Sequence, residues 1–298
     1  KKNIVPDDNL ELDLGLDSLS RVELVVSLEN TLGISLPESF GSEIFTVKDA
    51  ALKLRELIAS GAVKTGEHVR LTWAEILVQE PSDEVKKTLS LESGPFCVIG
   101  KYLLKAFLKV FFKVYDRLSI RGIENLPKDG PYIIAPNHLS LADAPVVMAS
   151  ITWDIGSQTF FLGTTDYFGG PITSKIAKSL QVIPVDMDTR LYGALQLSAY
   201  ILRHGKVLCV FPEGGRSRDG GIKEFKKGVG IIARELNIPV VPVAINGTYE
   251  MLAAGKKFPR PAKISVSFGK PIYPGGMDYD GIVKKLYKEV VGLLGGTE

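Results

Sequence analysis

Two short stretches of this 298-residue chain carry side chains that can move a proton. His138 and Asp143 lie five positions apart, just after the apolar run 132–135. A neutral histidine accepts a proton from an alcohol, and a carboxylate bonded to its other ring nitrogen fixes the tautomer and stabilises the imidazolium. The spacing therefore predicts a general base with an orienting carboxylate. It also fits a simpler alternative, in which the histidine bonds a backbone carbonyl and the aspartate caps the next helix.

The second stretch follows another apolar run and combines acidic, basic and hydroxyl side chains with glycines. Its residues are Val210, Phe211, Pro212, Glu213, Gly214, Gly215, Arg216 and Ser217. Both stretches follow sequences typical of buried strands, and Pro136 should end the first strand because proline cannot donate to the ladder. His138 is therefore expected at the rim of a sheet. Ser140 is expected to be the N-cap of a helix that begins there.

Together, His138-x4-Asp143 and the segment 211–217 resemble the first and third signature blocks of the PlsC-type glycerolipid (lysophospholipid) acyltransferase family. The resemblance covers residues 118–274, and the segment 238–243 resembles the fourth block of the family. It implies that His138 is the general base and that Asp143 orients it. It also implies binding of the acyl acceptor by four residues of the third block, Glu213, Gly214, Arg216 and Ser217.

One position departs from the family pattern. The second block of the family ends with an arginine, associated with the phosphate of the acceptor, where this chain has Met187. A phosphate-bearing acceptor would then need Arg190 or Arg218 in that place. Three further lysines fit either a contact with phosphate or a carrier protein, or a solvated basic face. These are Lys223, Lys226 and Lys227.

Composition excludes several classes of protein. The length allows about two domains, and a net charge of +2 argues against a nucleic-acid partner. The two cysteines, Cys97 and Cys209, are expected to be buried thiols, and His68, His138 and His204 are too widely separated for a histidine metal cluster. There is no signal-peptide core and no run of 18 uncharged apolar residues. We therefore expect a cytoplasmic protein that is peripheral on the inner face of the cell membrane.

Residues 1–60 read as a small all-α domain. The sequence Asp17-Ser18-Leu19 at a helix start resembles the modification site of acyl carrier proteins, which implies covalent 4'-phosphopantetheine on Ser18. A hydroxyl at a helix N-terminus suits this role, because the helix dipole favours the phosphate. The alternative is that Ser18 is only an N-cap. The first helix of a carrier is missing from the 17 residues before Ser18, so we expect a longer protein, and an upstream acyl-activating domain by analogy.

Residues 61–95 are polar and rich in helix breakers, which predicts a linker interrupted by a short amphipathic segment at 72–78. Residues 96–115 then form a strongly apolar predicted helix. Its lysines are spaced four apart and should make one basic stripe that contacts anionic lipid, although a core helix with solvated lysines is the alternative. They are Lys101, Lys105, Lys109 and Lys113.

Residues 96–298 are assigned to the acyltransferase domain, beginning with this basic amphipathic helix. The alternation of strands and helices predicts an α/β fold with a mixed central sheet flanked by helices. The expected strands are 132–135, 159–162, 181–185, 206–211, 240–245 and 262–268. The expected helices lie around Pro145, Ile176, Leu195, Val229 and Val283.

The two family resemblances together imply an O-acyltransferase. It would move a fatty acyl group from a phosphopantetheine thioester, on acyl carrier protein or coenzyme A, to a hydroxyl of a lysolipid or related membrane lipid. The alternative is a non-catalytic carrier and lipid-docking module of a larger acyl-activating or lipid-synthesis protein. The complete set of His138, Asp143, Glu213 and Arg216 favours the enzyme, since a scaffold has no need to retain it.

Overall fold

The structure is a computed structural model and forms two compact units. One unit is Lys1–Gln79 with Val185–Gln196, and the other is Glu80–Pro184 with Leu197–Glu298. The structure describes residues 4–16, 18–37, 39–61, 63–65, 72–81, 86, 95–164, 170, 181–185, 191–253, 255–256 and 258–295. Several sequence predictions lie outside these residues, namely those on Asp17, His68, Met187, Arg190, the helix around Ile176 and most of the linker.

The first unit is mainly helical. Its helices are α1 (Ser18–Leu32), α2 (Phe40–Glu43), α3 (Val47–Ala59) and α4 (Trp73–Val78). Two strands of two residues, β1 (Ile34–Ser35) and β2 (Lys64–Thr65), pair antiparallel, which the sequence did not predict. The buried core of the unit consists of Leu10, Leu36, Phe40, Ile44 and Val63.

The two ends of α3 are set by a capping residue and a glycine. Thr46 caps the helix, because its side chain accepts from the Asp49 N–H while the Asp49 carboxylate accepts from the Thr46 N–H. Gly61 follows the helix with a φ of 65°, a left-handed conformation that glycine adopts without strain. The short segment predicted at 72–78 is also helical, with the same kind of capping box between Thr72 and Glu75.

The second unit is built on a mixed seven-stranded sheet, which confirms the predicted fold class. The spatial order of the strands is β3-β9-β8-β4-β7-β5-β6. The strands are β3 (Ser119–Arg121), β4 (Tyr132–Pro136), β5 (Thr159–Thr164), β6 (Val182–Val185), β7 (Val207–Cys209), β8 (Val240–Asn246) and β9 (Ser265–Phe268). β8 and β9 are antiparallel, whereas β4 is parallel to both β7 and β8.

This parallel pairing brings the two candidate catalytic stretches together. Ile134 of β4 is in register with Cys209 of β7, so residues 137–143 and 210–217 leave the sheet at the same edge. β8 ends at that edge as well, because Pro136 is in register with Val243. All three strands are buried over most of their length, as expected for the middle of a sheet covered on both faces.

Helices of the second unit pack around the sheet. They are α5 (Pro95–Tyr115), α6 (Asp143–Ser150), α7 (Trp153–Gln158), α9 (Gly228–Glu235), α10 (Thr248–Leu252) and α11 (Tyr279–Gly295). A further helix, α8 (Leu191–Arg203), begins in the segment assigned to the first unit and ends in the second. A 3-10 turn, Ile123–Asn125, follows β3. α11 packs on α9 and β8, and α5 packs on α6. The sequence did not predict β3, α7 or α10, which are short.

The basic stripe predicted on α5 is wrong at Lys105. This side chain is buried, its Nζ donates to the Thr152 carbonyl, and it lies over the Trp153 ring at 5.8 Å. Lys109 and Lys113 are exposed, as predicted. In the described part of the chain, no helix combines the length and the apolar character that crossing a membrane requires.

α5 exposes a continuous apolar face. Its side chains recur at intervals of three or four residues, which places them on one side of a helix. They are Ile99, Leu103, Phe107, Val110 and Val114, each at least 59% exposed. Lysines 109 and 113 are exposed on the same helix.

Candidate active site

The position of His138 is set by the residue before it. Asn137 is fully buried at the end of β4, where its Nδ2 donates to the Ile245 carbonyl at 2.9 Å. The Ile245 N–H donates back to Asn137 Oδ1 at 2.7 Å. The side-chain amide thus continues the β4–β8 ladder where Pro136 cannot donate to it. The sequence analysis missed Asn137, although a polar residue next to a strand of buried type is a usable signal.

His138 and Asp143 are brought together. His138 Nδ1 lies 2.8 Å from Asp143 Oδ2, and Asp143 is fully buried. The same oxygen accepts the N–H groups of Leu139 and Ser140, each at 2.7 Å. The carboxylate therefore folds the segment into a tight turn around itself. The histidine bonds a carboxylate and not a backbone carbonyl, so the simpler alternative does not describe its Nδ1.

Ser140 does not cap the next helix, so that prediction is wrong. The N-cap of α6 is Ala142, and it makes no side-chain cap hydrogen bond. The Ser140 hydroxyl instead donates to the Leu252 carbonyl at 2.7 Å and accepts the Ala142 N–H at 3.1 Å. Ser140 thus ties the histidine turn to the end of α10, which sequence spacing does not reveal.

The ring of His138 has one basic nitrogen available. With a carboxylate at Nδ1, the neutral imidazole carries its proton there and keeps the Nε2 lone pair free. The ring stacks on Phe211, with centroids 4.0 Å apart and planes 20° from parallel. The side chain is 18% exposed, enough for a substrate to reach its edge. A proton acceptor is thus held in one orientation at the surface of the sheet edge.

Glu213 is a buried residue that contacts the backbone of His138. It is 3% exposed, and burial raises the pKa of its carboxyl group. Oε1 accepts the His138 backbone N–H at 2.6 Å, and Oε2 accepts the Lys223 backbone N–H at 2.9 Å. The carboxylate therefore joins the two candidate stretches through the backbone.

Ser217 and Gly214 shape the loop that carries Arg216. The Ser217 N–H donates to the His138 carbonyl at 2.8 Å. The buried Ser217 hydroxyl donates to Asp219 Oδ1 at 2.9 Å and accepts the Gly220 N–H at 3.0 Å, so it serves its own loop. Gly214 has a φ of 70°, a left-handed conformation that favours glycine at the turn out of the sheet.

The loop formed by residues 213–227 contains two arginines and three lysines, and we call it the basic loop. Lys223 Nζ donates to the Arg216 carbonyl at 3.2 Å, and the Tyr249 hydroxyl of α10 donates to the Arg218 carbonyl at 3.0 Å. Lys227 forms an ion pair with Asp280 at 3.4 Å, so it does not serve only as solvated charge. Arg216 and Arg218 flank Ser217, whose backbone N–H donates to the His138 carbonyl. Arginine side chains are suited to an anionic substrate group. Sequence reasoning missed Tyr249.

The remaining candidate residues are the two cysteines and Ser18. Cys209 is a fully buried thiol, as predicted, and burial with the nearby Asp143 charge raises its pKa, which argues against a nucleophile. The Cys97 side chain lies outside the described residues. Ser18 is the first residue of α1, a helix of 15 residues, and its side chain also lies outside the described part. Its modification stays a prediction.

Two family models match the chain. Residues 117–246 match the model described as Acyltransferase, and residues 1–48 match the model described as Phosphopantetheine attachment site. The chain thus carries an acyltransferase domain and, at its N-terminus, a phosphopantetheine attachment domain. Both resemblances stated from the motifs are confirmed.

Curated relatives to which the chain is similar are also named acyltransferases. A chloroplast 1-acyl-sn-glycerol-3-phosphate acyltransferase of Brassica napus is 29% identical over 181 residues, which are 59% of this chain and 51% of the relative. A 1-acyl-sn-glycerol-3-phosphate acyltransferase of Bacillus subtilis is 24% identical over 56% of this chain and 79% of its own. The match thus spans about half the length of the plant protein.

The fold also resembles a solved structure. The crystal structure of the 1-acyl-sn-glycerophosphate acyltransferase PlsC from Thermotoga maritima aligns with a TM-score of 0.57 and 26% identity. The alignment covers 68% of this chain and 88% of that one.

Proposed function

Because residues 117–246 carry an acyltransferase domain, we propose that the protein is an O-acyltransferase. It moves a fatty acyl group from a phosphopantetheine thioester, on a carrier protein or coenzyme A, to a hydroxyl of a lysolipid. The observation that carries the proposal is the 2.8 Å contact between His138 Nδ1 and a fully buried Asp143 carboxylate. A binding module has no need of an oriented base at the edge of its sheet.

The chemistry follows from the free nitrogen of His138. Nε2 takes the proton of the acceptor hydroxyl as its oxygen attacks the thioester carbonyl carbon. The imidazolium that forms is stabilised by Asp143. The carbon–sulfur bond then breaks, and the departing thiolate takes the proton back. No covalent acyl-enzyme is needed in this sequence of steps.

We propose an acceptor that bears a phosphate group, because the basic loop is positively charged and because of the names of the curated relatives. The curated relatives are named for 1-acyl-sn-glycerol-3-phosphate. A phosphate group of that kind fits the arginines of the basic loop, Arg216 and Arg218, because guanidinium groups bind phosphate oxygens in bidentate geometry. Arg218 then takes the place of the family arginine that Met187 replaces.

The donor is proposed to be loaded on the same chain. The attachment domain supports 4'-phosphopantetheine on Ser18, whose position at the start of α1 gives a phosphate the favourable end of the helix dipole. We assign residues 1–60 to this carrier, 61–95 to the linker and 96–298 to the acyltransferase domain.

A membrane surface is the proposed location of the acceptor. The exposed apolar side chains of α5, such as Leu103, Phe107 and Val110, suit the acyl region of a leaflet. Lys109 and Lys113, exposed on the same helix, suit anionic headgroups. We therefore propose peripheral binding to the inner face of the cell membrane.

The test is acyl transfer from an acyl-loaded carrier, or from acyl-CoA, to a panel of lysolipids with and without a phosphate. We expect His138→Ala to lower turnover by about 10²-fold to 10⁴-fold, the usual contribution of a general base. The matched control is His204→Ala, since His204 is exposed just after α8 and its Nδ1 bonds the Tyr200 carbonyl of that helix. Near-parental turnover of His138→Ala would refute the assignment of the base.

The panel also tests the acceptor. A phosphate-bearing lysolipid should be preferred, and replacing Arg216 or Arg218 with glutamine should remove that preference. If phosphate-free alcohols react equally well in the parent protein, the phosphate assignment is wrong while the acyltransferase assignment stands.

A further inference from the structure

We propose that Glu213 is a positioning residue, which holds the backbone of His138 and does not bind the acyl acceptor. The inference rests on the proposed function, because its kinetic consequence is measured as acyl transfer. It replaces the role that the family resemblance implies for this glutamate.

Both carboxylate oxygens of Glu213 already have backbone donors. Oε1 accepts from His138 N at 2.6 Å and Oε2 accepts from Lys223 N at 2.9 Å. Hydrogen bonds to an ionised acceptor are the stronger ones in proteins. The residue is only 3% exposed, so a lipid hydroxyl would have to displace packed protein to reach it.

The peptide groups on both sides of His138 are held by one loop. Glu213 accepts the N–H of His138, and the N–H of Ser217 donates to its carbonyl at 2.8 Å. The ring is then oriented by Asp143 and Phe211. Glu213 thus acts on the histidine backbone, whereas Asp143 acts on the imidazole.

Losing this carboxylate should affect the histidine more than the basic loop. The loop keeps its other hydrogen bonds. Among them are Ser217 N to His138 O, Lys226 N to Pro212 O, Lys223 Nζ to Arg216 O and Tyr249 Oη to Arg218 O. The His138 N–H has Glu213 as its acceptor. Displacing the base by a fraction of an ångström lowers the rate of the chemical step without removing a contact to the acceptor.

The test compares Glu213→Gln with Glu224→Gln in the full chain. Glutamine has the same shape, but its amide nitrogen would face one of the two N–H donors and repel it. Glu224 is an exposed carboxylate of the same loop and serves as the matched control. Labelling with ¹⁵N-histidine gives three backbone amide signals, since the chain has three histidines.

We expect the His138 amide signal of Glu213→Gln to move upfield and to exchange faster with solvent, while those of His68 and His204 stay unchanged. Turnover should fall by about 10²-fold, by the same factor for every acceptor in the panel. The KM for the acceptor should stay within about twofold of the parent value. Glu224→Gln should match the parent in both measurements.

Three results would overturn the proposal. One is an unchanged His138 amide signal in Glu213→Gln. Another is a raised acceptor KM at unchanged turnover, and the third is an effect confined to acceptors that share one hydroxyl, since both indicate a direct contact. If the parent transfers no acyl group, the proposed function fails and the amide signal alone decides the role of Glu213. If Glu213→Gln unfolds, the same criteria apply to Glu213→Asp, whose shorter side chain cannot span both N–H groups.

Discussion

Asp143 uses its two carboxylate oxygens unequally. Oδ2 accepts from the His138 ring and from the Leu139 and Ser140 N–H groups. Oδ1 is buried and has no hydrogen-bond partner among the described residues. An asparagine here can place its amide oxygen at Oδ2 and its NH₂ group at Oδ1. Shape and charge at this position are therefore separable by mutation.

We expect Asp143→Asn to fold normally and to keep the tautomer of His138, while losing the charge that stabilises the imidazolium. Turnover should fall by about 10²-fold with little change in thermal stability. Asp143→Ala should also be destabilised, by about 2–4 kcal/mol, because it leaves two buried backbone N–H groups without an acceptor. Enzyme kinetics and thermal unfolding of both variants check this, and a large loss of stability in Asp143→Asn would contradict it.

Lys105 is the other residue whose charge has a structural consequence. Burial, aided by the charge of Lys109 and opposed by Asp154, lowers the pKa of Lys105 to about 8. Below that pH the folded protein buries a charged ammonium group. As the pH rises from about 8 towards the ordinary value of 10.5, the folded protein loses this proton first and the cost of burial falls.

We therefore expect Lys105→Met to raise the melting temperature at pH 7, and the difference from the parent to shrink between pH 8 and 10. The gain is at most about 3 kcal/mol from the pKa shift, reduced by about 1 kcal/mol for the lost bond to Thr152. Lys113→Met is the control, since Lys113 is exposed on the same helix and should change little. A constant difference at all pH values would contradict the buried charge.

At this scale the sequence predicted the pair but not its surroundings. His138 and Asp143 are only five positions apart, so a short turn brings them into contact. The resemblance to a family block was therefore sufficient to predict this pair. Asn137 and Tyr249 act on residues at least 31 positions away in the chain, and contacts of that range depend on strand order. Glu213 was found by its motif, yet its partners are visible only in three dimensions.

Among the elements, α5 shows the limit of periodicity. Its length and its apolar character followed from the sequence, and so did the exposure of Lys109 and Lys113. The spacing of four could not reveal that Lys105 faces the start of α7, because the sequence does not say what packs against each side. β3 was missed for a related reason. It has three residues, all exposed, so it lacks the apolar alternation that signals a strand.

The exposed apolar face of α5 predicts a hydrophobic contribution to membrane binding, in addition to the electrostatic contribution of its lysines. Replacing Leu103, Phe107 and Val110 with serine should reduce co-sedimentation with vesicles of anionic phospholipid, since each removes apolar area that would enter the leaflet. Replacing Lys109 and Lys113 with glutamine should instead weaken the dependence on salt, because surface attraction is screened by ions. Circular dichroism should show the same helix content. Undiminished binding of the serine variant would place the membrane contact elsewhere.

At the scale of the whole molecule, a phosphopantetheine attachment domain and an acyltransferase domain occur in one chain. The division between the two compact units falls between Gln79 and Glu80, within the segment 61–95 predicted as a linker, and 185–196 groups with the first unit. The sequence did not predict this grouping of 185–196, since it depends on contacts between segments that are distant in the chain.

The attachment domain can carry an acyl donor for the acyltransferase domain only if phosphopantetheine is attached to it. Ser18 begins α1, and phosphate at a helix N-terminus is favoured by the free N–H groups of the first turn. Incubation with coenzyme A and a broad-specificity phosphopantetheinyl transferase should therefore add one prosthetic group, seen by intact-protein mass spectrometry. Ser18→Ala should accept none, whereas Ser20→Ala, two residues further along the same helix, should be modified as the parent is. An unchanged parent mass, with the helices shown to be formed by circular dichroism, would refute the carrier role and leave coenzyme A thioesters as the donor.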